Sequence, residues 1–362
     1  MSEDKTLKIM EVTLRDGSYA IDFKFTASDT ALICEELEGL GFDLIEIGHG
    51  VGLGASRAGR GKAVESDETY LRVAAETLKK ASWGMFCIPG IATLEDIDMA
   101  AEYGMNFIRI GTNVTEMEQS EPFITRAKRH GMFVSANFMK SYAMEPDKFA
   151  EKAVLTQKYG SDILCIVDSA GGMLTEDMEK YFLAVQEKCD IKLGFHGHNN
   201  LELAVANSLR AVELGANIID TSLQGIGRGG GNTPTEIFVV ALERKGIRMG
   251  INPLKVMDVG DKYIKPLLTR YGYDAIDIIS GYAQFHSSYM GIISEYSSKY
   301  RIDPRRLIMA VCEEDKVNAP RDMVDRIAKE ISKVSDEVFT ARFRMDKYHG
   351  EEQINGHDKR SI

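Results

Sequence analysis

The chain has 362 residues, 44% of them hydrophobic and 27% charged, the balance of an ordinary soluble globular protein. Its formal net charge of −11 excludes the basic surface that non-specific nucleic-acid binding needs. No run approaches the roughly 18 apolar residues of a membrane span, and the N-terminal MSEDKTLKIM lacks the apolar core of a signal peptide, so a cytoplasmic protein is expected.

The first element is the apolar run LKIMEVTLRD, closing on Thr13-Leu14-Arg15-Asp16-Gly17. An amphipathic stretch, TASDTALICEELEGLG, leads to a second run, DLIEIGHG. SDETYLRVAAETLKK follows, with a Ser/Asp-rich start suited to helix capping. The runs SWGMFCIPG, NFIRIGTN, MFVSANFM, DILCIVDSA, IKLGFHGHNN and NIIDTSLQG come next. They are separated by helix-like segments such as DIDMAAEYG, EPFITRAKRHG, DKFAEKAVLTQKYG and LELAVANSLRAVELG, several of which stop at glycine.

Continuous apolar runs alternating with helices predict a parallel sheet covered by helices. Eight such units predict closure into a (β/α)8 TIM barrel over residues 1–250, an α/β fold. An open doubly wound sheet is the structural alternative, but no GxGxxG follows the first run. From about residue 251 to 340 strand alternation is gone, which predicts a helical C-terminal subdomain. Residues 341–362 read as a polar tail. The five cysteines are scattered without a CxxC pair, which fits buried small hydrophobes rather than a disulfide framework or a cysteine-rich zinc site.

Barrel chemistry sits where the strands end. The predicted ends are polar: Arg15-Asp16, Glu46 to His49, Asn113, Asn137, Asp168-Ser169, His196 to Asn200 and Gln224. His196-Gly197-His198 carries the clearest signal, because side chains at i and i+2 of a strand point to one side and can meet one cation. Such a pair also serves as two polar histidines bonded to loops. Asp16, at the same face on the first strand, adds a carboxylate; by itself it also fits a loop cap or an ion pair with Arg15. Two imidazoles, one carboxylate and open positions suit manganese, magnesium, cobalt or zinc acting as a Lewis acid. Arg15 could clamp a carboxylate and stabilise an enolate, or make a structural ion pair. The glycine-rich GIGRGGGNTP lets backbone N–H groups approach an anion, and its Asn232 could orient a ligand or a bound water.

LRDG on the first strand, GHGVGLGAS after the second, VDSAGGM on the sixth, HGHNNLELAVANS on the seventh and GIGRGGGNTPTE after the eighth resemble the 4-hydroxy-2-oxovalerate aldolases. These belong to the metal-dependent barrel group that includes isopropylmalate synthase and HMG-CoA lyase. The resemblance extends through SGYAQFHSSYMGI and SSKYRIDPRRLI, to about residue 335. It implies a divalent metal, usually manganese, held by Asp16, His196 and His198. It implies enolate stabilisation by Arg15 and substrate contact by Ser169. The implied reaction is retro-aldol cleavage of a 4-hydroxy-2-oxo acid into pyruvate and an aldehyde, or its reverse. It also implies an acylating aldehyde dehydrogenase as partner and a homo-oligomer.

Two positions depart from the family pattern. Tyr19 stands where the family has a catalytic histidine, and His286 stands where it has a tyrosine. A swapped pair is expected, with His286 as base, since imidazole has an ordinary pKa of ~6.5, and Tyr19 steadying the alkoxide. The competing expectation is that the aldolase base is lost. The alternative enzyme reading is a Claisen condensation of an acyl-CoA with a 2-oxo acid. GIGRGGGN lacks the cysteine expected of HMG-CoA lyase, which disfavours that branch. A non-catalytic scaffold would have no need of the metal ligands.

Overall fold

The computed structural model describes residues 7–268 and 275–334; the polar tail assigned to 341–362 lies outside them. Eight parallel strands close in sequence order into a barrel. They are β1 (Lys8–Glu11), β2 (Leu44–Glu46), β3 (Ser82–Cys87), β4 (Phe107–Asn113), β5 (Phe133–Met139), β6 (Ile163–Asp168), β7 (Lys192–Gly197) and β8 (Ile218–Thr221). Closure is made by β1, which pairs with β2 at Met10–Leu44 and with β8 at Lys8–Ile218 through Glu11–Thr221.

The outer helices are α1 (Ala27–Leu40), α2 (Asp67–Thr77), α3 (Leu94–Glu102), α4 (Glu121–Arg129), α5 (Pro146–Tyr159), α6 (Thr175–Lys188), α7 (Ala204–Glu213) and α8 (Thr235–Arg244). Their ends follow local chemistry. Thr26 and Asp29 form a reciprocal capping box at the start of α1, and Ser66 accepts from the Thr69 N–H at the start of α2. α1 and α5 stop at Gly41 and Gly160, whose φ of 94° and 106° a β-carbon would strain.

Strand alternation divides the packing. Met10, Leu44, Phe107, Ile163 and Ile218 fill the barrel floor. Residues on the opposite strand faces, such as Ile9, Ile45, Ile108, Val134 and Ile219, pack under the helices. Beyond α8 lie α9 (Pro253–Val259), a wide turn over Gly260–Ile264, and then α10 (Ala275–Ala283), α11 (Met290–Tyr300), α12 (Pro304–Glu314) and α13 (Arg321–Val334). Val256, Val259 and Ile264 still belong to the barrel core. A second core starts with Ile276 and includes Phe285, Ile293, Leu307 and Val324. None of the five cysteines is in a disulfide, and all but Cys189 are buried. No helix among the described residues is long and apolar enough to cross a membrane.

The helical subdomain docks on the carboxyl end of the barrel. Asn200, after β7, donates its amide to the Asp277 carbonyl at 3.1 Å. Gly172, after β6, lies against Gly281 of α10 so closely that a β-carbon at 172 would stand 2.1 Å from the Gly281 carbonyl oxygen.

Candidate metal centre and active site

β1 is shorter than the sequence pattern predicts. It ends at Glu11, and Asp16 opens a short 3-10 turn, Asp16–Ile21, that folds over the barrel mouth. β7 ends at Gly197, with His198 just beyond it in a bridge to Asn232. From these two ends Asp16, His196 and His198 bring one ligand atom each to within 4.8 Å of one another, all three residues buried.

The hydrogen bonds fix the ring orientations. His198 Nδ1 lies 3.1 Å from the Gly231 carbonyl oxygen, which can only accept, so Nδ1 carries the proton. His196 Nδ1 lies 2.8 Å from Asp220 Oδ2 and donates to it in the same way. In the neutral rings both Nε2 atoms are then bare acceptors, and they face each other at 3.4 Å. Burial pushes His198 down to about 3, against the pull of Asp16, so its ring is neutral at physiological pH. Burial would raise the Asp16 carboxyl, but the neighbouring cations, Arg15 foremost, outweigh it and hold the carboxyl far below the usual range. Asp16 Oδ1 accepts from Asn232 Nδ2 at 2.9 Å, and Oδ2 takes Arg15 Nη1. Three electron-pair donors thus converge with no proton between them, the arrangement a cation satisfies.

Beneath the centre runs a buried charge network. Arg15 Nε and Arg109 Nη1 each donate to Glu46 Oε2 at 2.8 Å, and Arg109 Nη2 donates to Asp220, which in turn accepts from His196. Burial raises the Asp220 carboxyl, and Arg109 and His196 together more than reverse this, leaving it lowered. Arg109 and Asp220 were missed in the strand pattern. Their signal was a charge inside otherwise apolar runs, FIRIG and NIID, facing the interior rather than solvent.

A small pocket above the centre is lined by Arg15, Asp16, Ser169, His196 and His198, together with Gly50, Phe86, Asn137, Met139, Val167 and Arg228. Arg15 also lies over the Phe86 ring, 4.7 Å from its centroid. Ser169 Oγ accepts the Lys140 N–H at 2.9 Å. Its neighbour Asp168 is turned away into backbone, accepting from the N–H groups of Gly172 at 3.2 Å and Met173 at 2.9 Å, with burial pushing its carboxyl up to about 6.

Tyr19 and His286 are buried but do not stand on the wall of this pocket. Arg228 lies near Tyr19. Its guanidinium sits 5.6 Å over the Tyr19 ring, and its charge acts on His286. His286 caps the turn Ser287–Tyr289, with Nδ1 2.7 Å from Ser288 Oγ. Burial first, then Arg228, Lys140 and His198, holds its pKa well below the ordinary value.

Other polar strand ends have structural partners. His49 stacks on Phe23 at 4.0 Å, donates to the Gly61 carbonyl from Nε2 and accepts the Val51 N–H at Nδ1. Asn113 bonds Glu116, and Gln224 bonds Glu236.

Two imidazoles and a carboxylate at the carboxyl end of a closed parallel barrel define a (β/α)8-barrel enzyme with a candidate metal centre. The HMGL-like family model matches residues 6–262. The chain belongs to the 4-hydroxy-2-oxovalerate aldolase family within that HMGL-like group. It is 36% identical over 332 residues to the 4-hydroxy-2-oxovalerate aldolase of Carboxydothermus hydrogenoformans, covering 91% of this chain and 99% of the relative. To that of Pelotomaculum thermopropionicum it is 38% identical over 328 residues, covering 90% and 96%. Among solved structures, the carboxyl transferase domain of Rhizobium etli pyruvate carboxylase superposes with a TM-score of 0.75 at 15% identity, covering 91% of this chain and 61% of that one, a likeness of fold.

Proposed function

We propose that the chain is a divalent-metal-dependent aldolase that cleaves or forms a 4-hydroxy-2-oxo acid from pyruvate and an aldehyde. The observation that carries this is the facing pair of bare Nε2 atoms beside the Asp16 carboxylate. Asp16, His196 and His198 would hold the cation, manganese by preference, which supplies Lewis-acid polarisation of a 2-oxo group.

The remaining steps belong to the protein's own side chains. Arg15, pinned by Glu46 and Asp16, presents a fixed positive charge where the enolate develops. Ser169 offers a hydroxyl at the pocket wall to the substrate's oxo-acid end. His286 is the base. With Nδ1 accepting the Ser288 N–H at 3.3 Å, the neutral ring carries its proton on Nε2; a shift of that proton to Nδ1, where Ser288 Oγ lies 2.7 Å away, frees Nε2 to accept the 4-hydroxyl proton. The C3–C4 bond breaks, its electrons pass to C3 and the 2-oxo oxygen as the enolate, and the aldehyde departs. Protonation at C3 gives pyruvate. Tyr19 steadies the alkoxide as the proton leaves. Tyr19 and His286 stand off the pocket wall, so reaching the substrate requires their side chains to move toward it.

Metal analysis of purified protein, with cleavage of 4-hydroxy-2-oxopentanoate followed as pyruvate release, tests the reading. His286→Ala is expected to lower kcat by about 10²-fold or more, and Tyr19→Phe by less. Wild-type turnover in His286→Ala, or in protein stripped of all metal, refutes it. By the same family reading the chain works in the cytoplasm as a homo-oligomer with an acylating aldehyde dehydrogenase that takes up the aldehyde. Co-purification and solution mass measurement test that part.

A further inference from the structure

Lys140 is a fully buried lysine with no role in the chemistry above. It follows β5 in the left-handed conformation, φ 54°, which a residue with a side chain adopts only under strain. That twist sends its two ends in different directions. The backbone N–H donates to Ser169 Oγ at 2.9 Å, on the pocket wall. The side chain crosses to the helical subdomain, where Nζ donates to the Val317 carbonyl at 2.5 Å and lies 3.4 Å from Tyr289 Oη and 4.9 Å from the Tyr289 ring centroid. Tyr289 Oη donates to the same Val317 carbonyl at 2.9 Å.

Tyr289 closes the turn that begins at His286. Its N–H donates to the His286 carbonyl at 3.2 Å, and the turn Ser287–Tyr289 runs straight into α11. One barrel residue therefore fixes both the pocket serine and the turn that carries the imidazole. Moving a lysine ammonium out of water is costly unless it is paired, more so than a surface anchor would require.

We infer that Lys140 is a positioning residue for the aldol step, holding the His286 turn over the barrel mouth through Tyr289 and Val317. This rests on the reading of His286 as base. The side chain serves the His286 arm and the main chain serves the Ser169 arm, so the two can be separated. Lys140→Met removes the ammonium and keeps the backbone bond to Ser169.

The test is a double-mutant cycle in the metal-loaded, full-length enzyme. Lys140→Met is expected to lower kcat for 4-hydroxy-2-oxopentanoate cleavage by about ten- to a hundredfold, the range expected when a reacting group is misplaced by an ångström. KM stays within about twofold, because Ser169 keeps its partner. Lys140→Arg recovers part of the loss. In a His286→Ala background Lys140→Met then has no further effect on kcat, because there is no imidazole left to place. Unchanged kcat in Lys140→Met, a rise in KM with kcat intact, or full additivity with His286→Ala each overturn the inference. Should Lys140→Met not fold, Tyr289→Phe carries the same cycle with the same criteria. Absence of cleavage by the wild type would overturn the aldolase reading itself, an outcome distinct from failure of the cycle.

Discussion

Asp220 provides the most demanding test of the proposed metal centre, because it would reach a cation held there only through His196. Its Oδ2 accepts from His196 Nδ1 at 2.8 Å and from Arg109, so it sets both the tautomer and the tilt of the ring. Asp220→Asn keeps the size and removes the charge. An orienting carboxylate behind a ligating histidine contributes about 10- to 100-fold in metal affinity, roughly 1.4 to 2.8 kcal/mol. Arg109 keeps Glu46 at 2.8 Å, so it is not left without an anion. The accompanying loss of stability should therefore stay below the ~3–5 kcal/mol of a fully broken buried pair. Calorimetric titration of metal-free protein with Mn²⁺ measures the affinity, and urea unfolding in a chelator measures the stability apart from binding. Activity should return at high metal concentration. A variant that binds Mn²⁺ within twofold of wild type would show that Asp220 does not orient a ligand, and that His196 is not one.

Other expectations follow from the same geometry. Glu11 is buried outside the pocket, where desolvation outweighs its bonds to Thr13 and Thr235 and pushes its pKa from 4.5 to about 7. A raised acid favours the protonated fold, so its stabilising share is complete below pH 4.5 and is lost as pH rises to 7, by about 3 kcal/mol. Glu11→Gln should flatten that slope in urea unfolding between pH 5 and 8; an unchanged slope refutes the assignment. Ser169→Ala strands the buried Lys140 N–H and removes a pocket hydroxyl, which should raise KM and cost about 1–3 kcal/mol in unfolding. Ser288→Ala removes the hydroxyl that lies 2.7 Å from His286 Nδ1 and should lower kcat with little change in KM. Phe149→Ala removes a ring that meets Phe138 at 5.2 Å and Tyr181 at 5.1 Å, at about 3–5 kcal/mol by thermal or urea unfolding, without changing the metal affinity.

The local pattern carried the barrel and the convergence of Asp16, His196 and His198 for a plain reason. Strand and helix periods are written in consecutive residues, and HGH needs only the two-residue repeat of a strand to point both rings one way. Asp16 was legible as a carboxylate near the end of the first run, even though the strand itself stops five residues earlier, at Glu11, and a 3-10 turn makes the final approach. Asp168 shows the limit. By sequence it sits beside Ser169 at a promising strand end, yet its carboxylate is spent on the backbone of its own loop.

By itself, then, the sequence determined the alternation that closes the sheet, the chemistry of Asp16, His196 and His198, and the family to which the motifs belong. Only tertiary structure decided what surrounds them. The chain Arg15–Glu46–Arg109–Asp220–His196 draws on five different strand ends and interiors, so no spacing within one segment encodes it. The same holds for Lys140 and Tyr289, 149 residues apart in sequence and brought together by the docking of the helices on the barrel mouth. Packing also decided that Tyr19 rests under Arg228 and that both Tyr19 and His286 stand off the pocket wall. The physical reason is that buried charges need partners, and a closed barrel supplies them from across its interior, where distance along the chain has no bearing.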